Sequence, residues 1–284
     1  MKPKDRLALA LPLALGAALV ASNALAGVVV KGSDTVLPLS QNVAEAYLEE
    51  HKDASVSVIG GGSGVGIAGI IDGTCDVAQS SRPIKARERK QAEQKGVHPV
   101  ETIVGRDALT VVVHPGNSVK KLTMKQIGDI FSGVITNWKT VGGPDMEIVV
   151  YSRESSSGTY AYFREHVLEG REYTPGALLA PATGAIVQSV SQTRGAVGYI
   201  GMAYLTESVV ALEVAAEEGG EYVRPTMETA LEGSYPISRE LFYYTNGEPK
   251  GETKAFLDFV LSPKGQKLVQ DIGYIPVRGD TTKS

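Results

Sequence analysis

Cysteine is nearly absent from this sequence: Cys75 stands alone, which excludes an intramolecular disulfide and any zinc site built on paired thiolates. What remains for it is the role of a small buried core residue. Histidine is scarce as well. His51, His98, His114 and His166 are scattered along the chain, so neither a Ser-His-Asp arrangement nor a histidine-rich metal cluster is visible. Basic residues are not in excess: 28 Lys and Arg stand against 32 Asp and Glu, a formal net charge of −4. Nucleic acid and anionic membrane surfaces are poor partners for such a chain, and any anion site has to be local. No internal repeat is visible.

Long apolar runs are also lacking, apart from one at the very start. Leu7 to Val20 follows Lys2, Lys4 and Arg6 and leads to Ala24-Leu25-Ala26. It is too short and too rich in alanine for a transmembrane span, and it reads as the core of a cleaved secretory signal peptide, residues 1–26. No cysteine follows it to carry a lipid anchor. The expected product is a freely soluble protein of the periplasm, and the remaining length suits two modest lobes, each with its own core.

After the leader, β-branched runs at 28–31, 55–59 and 76–79 alternate with amphipathic stretches at 37–52 and 64–71. This is the βαβ pattern of an α/β protein with largely parallel sheets. In the first helix Leu39, Val43, Ala46 and Tyr47 fall on one stripe, Pro38 fits its first turn, and Ser33, Asp34 and Thr35 are candidate caps. A strand at 108–113 is the expected crossing into a second lobe. Helices at 123–131, 158–168 and 185–193 and strands at 147–151 and 196–200 build that lobe, and 237–244 returns. A last helical pattern, 252–271, packs back on the first lobe, ahead of a polar tail at 278–284. The expected domains are therefore 27–110 with 240–284, and 111–239.

Three loops share one design, in which a strand ends, small hydroxyl and glycine residues follow, and a helix begins. They are Gly32-Ser33-Asp34-Thr35, Gly60-Gly61-Gly62-Ser63-Gly64 and Ser155-Ser156-Ser157-Gly158-Thr159. Free N–H groups at a helix start carry partial positive charge, and glycine lets an anion approach the backbone. Singly, each is a helix cap. Convergent, they make a cage able to hold a tetrahedral oxyanion with neutral donors. Arg153, just before the third loop, adds one strong charge that can fork onto two oxyanion oxygens. A fourth segment, 76–83, again ends a strand in hydroxyls, which turns Ser81 toward the same cleft and makes Arg82 a candidate bridge between lobes. Gly64-Val65-Gly66-Ile67-Ala68-Gly69 formally matches the dinucleotide fingerprint, but no clear acidic residue ends a second strand at the required distance. No cofactor and no metal is expected.

The segments GSDTVLPLSQNVAEAYLEE, IGGGSGVGIAGIIDGTCDVAQSSRPI, FSGVITNWKTVGG, YSRESSSGTYAYF and GAVGYIGMAYL occur in an order that resembles the phosphate ABC-transporter substrate-binding proteins. The similarity runs from Val28 to Tyr204, with a looser match in YPISRELFYYTN and the C-terminal helix. The resemblance implies a type II periplasmic-binding-protein fold, two α/β lobes joined by a two-strand hinge with inorganic phosphate in the cleft. It also implies membrane permease subunits of an ABC importer as partners of a monomeric binding protein that is not an enzyme. The ligand set it implies is Ser33, Asp34, Thr35, Ser63, Ser81, Arg153, Ser157, Gly158 and Thr159.

Two positions depart from the family pattern. Some members have an aspartate where this chain has Ser81, and that carboxylate accepts the phosphate proton. Some have an acidic residue at the place of Ser155 that holds the arginine, leaving Glu154 or another group to do so here. Asp34 is the acidic residue inside the hydroxyl and glycine loops. Two roles stay open for it: capping the helix that starts near Val36, or accepting the proton that phosphate has and sulfate lacks. The rival functions are a secreted phosphatase on the same fold, a binding protein for sulfate, molybdate or tungstate, and an adhesin or signalling protein.

Overall fold

The first β-branched run becomes β1 (Val28–Gly32) in the computed structural model, which describes residues 27–277; Val28 and Val30 point into the core. The leader at 1–26 and the tail at 278–284 lie outside the described residues. The chain continues through α1 (Leu37–Glu50), β2 (Val56–Ile59), α2 (Ser63–Ile71), β3 (Val77–Ser80) and α3 (Ala86–Gln94). A long β4 (Pro99–Val113) leads to β5 (Lys121–Thr123), α4 (Met124–Phe131), β6 (Val149–Arg153), α5 (Gly158–His166), β7 (Leu178–Ala180) and α6 (Thr183–Gln192). Then come β8 (Ala196–Gly201), β9 (Val210–Ala211), β10 (Glu213–Ala215), α7 (Met227–Leu231), β11 (Ser238–Asn246), α8 (Gly251–Val260) and α9 (Pro263–Asp271).

The principal sheet runs β2-β1-β3-β11-β4-β8-β6-β7, with β9 added on β4. Its flanks are parallel, as the βαβ pattern predicts: β1 with β2 and β3, and β6 with β7 and β8. Its centre is antiparallel, because the chain leaves one lobe on β4 and comes back beside it on β11. β4 belongs to both lobes. Residues Pro99 to Ala108 pair with β11, and Leu109 to Val113 pair with β8. Apolar patterning predicts only 108–113, since Glu101, Arg106 and Asp107 interrupt the first half of the strand.

The two larger hydrophobic clusters among the described residues flank these strands. One gathers Val30, Leu39, Val43, Tyr47, Tyr243, Phe256 and Val269; the other gathers Phe131, Trp138, Phe163, Tyr199, Leu212 and Tyr235. Burial of that many large apolar side chains is the dominant favourable term on each side. α3 has no such face, only Ala92 being buried, which is why apolar periodicity does not find it. The single helix expected at 252–271 is two. Ser262 accepts a hydrogen bond from the Gly265 N–H as a new cap, and Pro263 opens the second helix, since proline cannot continue the first.

Cys75 is half-buried rather than fully buried. Its Sγ lies 3.7 Å from the Gly66 carbonyl, against the cluster of Ile67, Ile70 and Ile71. Burial pushes the thiol up to about 11, so the reactive thiolate is scarce at neutral pH. A disulfide reagent is expected to label Cys75 slowly in the folded protein and at once in denaturant; equal rates would place the thiol in solvent.

Candidate anion-binding site

The loop after β1 is built into the sheet before it reaches the cleft: the Ser33 N–H bonds the Gln79 carbonyl at 2.8 Å. Asp34 does not cap α1. The N-cap position is Val36, with no side-chain hydrogen bond, and both Asp34 oxygens are directed elsewhere. Oδ1 accepts from the Gly61 N–H at 3.0 Å and Oδ2 from Arg153 Nη2 at 2.6 Å. Two tyrosines fix the backbone of this loop. Tyr204 donates to the Asp34 carbonyl at 2.5 Å and Tyr274 to that of Thr35. Burial pushes both phenols above their ordinary range, so each remains a donor.

The second loop meets the third across the cleft. Gly64 N–H bonds the Ser156 carbonyl at 2.9 Å. At Gly62, φ is +96° and a Cβ would lie 2.7 Å from the same carbonyl, so only glycine fits. The Gly61, Gly62 and Gly64 amides are taken by Asp34, the Gly32 carbonyl and Ser156, and Ser63 carries the loop's contribution to the cage. In the third loop Ser157 caps α5 by accepting from the Tyr160 N–H. Gly158 has no room for a side chain: a Cβ there would stand 2.2 Å from Ser63 Oγ and 2.7 Å from Ser81 Oγ.

The structure brings the hydroxyls together. Ser81 Oγ is 3.0 Å from Ser33 Oγ, 3.4 Å from Ser63 Oγ and 3.4 Å from Thr159 Oγ1. Thr35 Oγ1 and Thr159 Oγ1 are 2.7 Å apart, and the Ser81 N–H donates to Ser63 Oγ at 3.0 Å. Ser33, Asp34, Thr35, Ser63, Ser81, Arg153, Ser157, Gly158 and Thr159 are all buried. Residues from both lobes thus converge on one spot.

Arg153 ends β6 at 2% exposure. Its Nε donates to the Ala180 carbonyl at 3.2 Å, Nη1 to Thr183 Oγ1 at 2.8 Å, and Nη2 to the Pro181 carbonyl at 3.0 Å as well as to Asp34. Asp34 therefore holds the arginine across the cleft. Glu154 and Ser155 are exposed. Arg82 does not bridge lobes; it forks onto Glu88 at 2.7 and 2.8 Å beside its own strand.

Sequence reasoning missed several members of this site. Thr183, at the start of α6, steadies Arg153. Thr183→Val is expected to weaken anion binding by about 1 kcal/mol, the worth of one neutral hydrogen bond, as read by calorimetry; a loss as large as that from removing Arg153 would make Thr183 a direct ligand. Asp107 on β4 and Arg239 on β11 form a second buried ion pair, 2.9 Å between Asp107 Oδ2 and Arg239 Nη2. Arg239 also donates to Thr159 Oγ1 at 3.0 Å and to the Ser81 carbonyl at 3.1 Å. Charged residues inside otherwise apolar strands, GRDALTVVV and YPISRELF, were the available signal.

The assembled site offers hydroxyl donors, the N-terminus of α5 and the remaining Nη1 N–H of Arg153 to an oxyanion, with one carboxylate among them as an acceptor. Both arginines have an aspartate at contact distance. Such a cage binds through directed hydrogen bonds rather than through surplus positive charge.

Two α/β lobes on a β4–β11 hinge, closed over such a cage, define a substrate-binding protein with the type II periplasmic-binding-protein fold. Residues 19–264 match the model of the PBP superfamily domain. The phosphate-binding protein PstS of Staphylococcus epidermidis is 35% identical over 262 residues, covering 89% of this chain and 80% of that protein. PstS of Pseudomonas aeruginosa is 34% identical over 263 residues, covering 87% and 81%. Among solved structures, a phosphate ABC-transporter substrate-binding protein from Clostridium perfringens with bound phosphate is 35% identical, with a TM-score of 0.80 over 89% of this chain and all of that one. The chain belongs to the PBP superfamily and, within it, to the family of phosphate ABC-transporter substrate-binding proteins.

Proposed function

We propose that this protein captures inorganic phosphate outside the cytoplasmic membrane and delivers it to the permease subunits of an ABC importer. The observation that carries this reading is the convergence of Ser33, Thr35, Ser63, Ser81 and Thr159 with the Asp34–Arg153 pair. A phosphate entering there exchanges the hydroxyl–hydroxyl contacts for bonds to its own oxygens, with Arg153 Nη1 and the α5 amides adding to them. On this reading the lobes divide between 110 and 111 and between 239 and 240; closure on the anion brings Ser156 onto Gly64 and Asp34 onto Arg153. The family points to a binding protein rather than an enzyme, and on this reading the protein acts as a monomer in the periplasm. His51 and His166 are stacked on Tyr47 and Tyr162 and bonded to the backbone, a structural use rather than a catalytic one.

Calorimetry of the mature protein, stripped of ligand by unfolding and refolding, tests this against phosphate, sulfate and molybdate. One phosphate per chain with compaction in solution scattering is expected. Tight binding of sulfate or molybdate with none of phosphate would move the protein to another oxyanion. Turnover of p-nitrophenyl phosphate, with or without divalent metal, would make it a phosphatase.

A further inference from the structure

Arg239 has a position that the proposed ligand set does not use. It faces Asp107 directly across the β11–β4 ladder, just before the register shift at Leu241/Phe242. Its Nε and Nη2 fork onto Asp107 Oδ2 at 3.3 and 2.9 Å, and Asp107 Oδ1 also accepts the Met202 N–H at 3.0 Å. From the hinge the guanidinium reaches one lobe at the Ser81 carbonyl and the other at Thr159 Oγ1. The Tyr162 ring of α5 lies 5.4 Å from the guanidinium, and its hydroxyl donates to the Ser238 carbonyl at 2.7 Å. α5 and β11 are thereby tied together where α5 presents Thr159 to the cage.

The chemistry of that contact is directional. A guanidinium has donors and no acceptor and does not lose its proton in a protein. Thr159 Oγ1 must accept from Arg239, which occupies one of its two lone pairs and polarises its O–H, so the hydroxyl becomes a stronger donor and a weaker acceptor toward the cage. Resting on the phosphate reading, we propose that Arg239 is a positioning residue that biases Thr159 toward donating and so favours the phosphate dianion over the monoanion. The dianion has one O–H, which Asp34 can accept; the monoanion has a second, and a hydroxyl that already accepts from a guanidinium is a poorer acceptor for it. The charged and titratable groups around this contact are Asp107 on β4, Asp34 after β1, Arg153 on β6, Tyr162 and Glu165 on α5, Tyr204 after β8, and Tyr274 after α9. The group that titrates in the experiment is phosphate itself.

The test is phosphate affinity as a function of pH across the range where phosphate passes from monoanion to dianion. The paired variant Asp107→Asn with Arg239→Met removes both buried charges together, so neither is left unpaired. It is expected to bind phosphate about ten- to a hundredfold more weakly, the worth of a charge-assisted hydrogen bond, and to lose much of the parental rise in affinity with pH. Thr159→Val should flatten the profile in the same way, and adding the paired change to it should flatten it no further. Should the paired variant fail to fold, Arg239→Lys keeps a charge opposite Asp107 but loses the fork, and carries the same comparison. A parental pH slope in the variant that folds overturns the role of Arg239 while leaving phosphate binding intact. Absence of phosphate binding by the parent overturns the function itself, and this role with it.

Discussion

Arg153→Ala is expected to weaken phosphate binding by about 2–5 kcal/mol, because truncation leaves desolvated anion charge without its cationic partner. The structure adds a second consequence. Asp34, 8% exposed, loses the guanidinium 2.6 Å away, and breaking a buried pair by removing one member costs about 3–5 kcal/mol of stability. The melting midpoint should fall together with the affinity. Arg153→Lys restores a charge but not the planar fork that reaches Asp34, Pro181, Ala180 and Thr183 at once, so it should rescue only part of the loss. Calorimetry and a thermal melt on the two variants measure both effects. Parental phosphate affinity in Arg153→Ala would place the anion elsewhere.

The second large effect is on selectivity. Near neutral pH phosphate carries at least one proton and sulfate carries none. A carboxylate in the cage accepts a hydrogen bond from phosphate but meets sulfate as charge against charge, at a cost of several kcal/mol. Each Asp34 oxygen has one partner, Gly61 or Arg153, and a carboxylate oxygen has a further lone pair for the phosphate O–H. Asp34→Asn removes the repulsion and also frees Arg153 from its counter-charge. Both changes favour sulfate, while phosphate loses its acceptor, and the phosphate-to-sulfate affinity ratio should fall about a hundredfold or more. Competition calorimetry reads the ratio directly. An unchanged ratio would leave Asp34 only the task of holding Arg153 in place.

The cage loops were legible because their chemistry is local. In Gly32-Ser33-Asp34-Thr35 and in Ser157-Gly158-Thr159 a strand end, small hydroxyl residues and a helix start lie within a few residues of one another, and elementary rules for helix termini apply to such a stretch alone. The partner of a charge is a different matter. Asp34 and Arg153 are 119 residues apart, and Asp107 and Arg239 are 132 apart, so nothing in the neighbourhood of either marks the other. Glu154, adjacent in sequence to Arg153, was the natural candidate to hold it and is instead exposed. The strand ends at Arg153, and Glu154 opens the turn that follows, where its carbonyl accepts the Ser157 N–H and its side chain lies in solvent.

The sequence by itself determined the α/β class, most of the helices and strands, and the hydroxyl and glycine loops that meet in the candidate cage, because apolar periodicity and helix-start chemistry are short-range. Only the tertiary structure decided which aspartate holds Arg153, that Ser81 sits among hydroxyls of both lobes, and that Arg239 reaches Thr159 and the Ser81 carbonyl. Those facts depend on β4 and β11 carrying the chain out and back, so that loops far apart in sequence close on one point. The burial created there makes each unpaired charge costly enough to choose its partner.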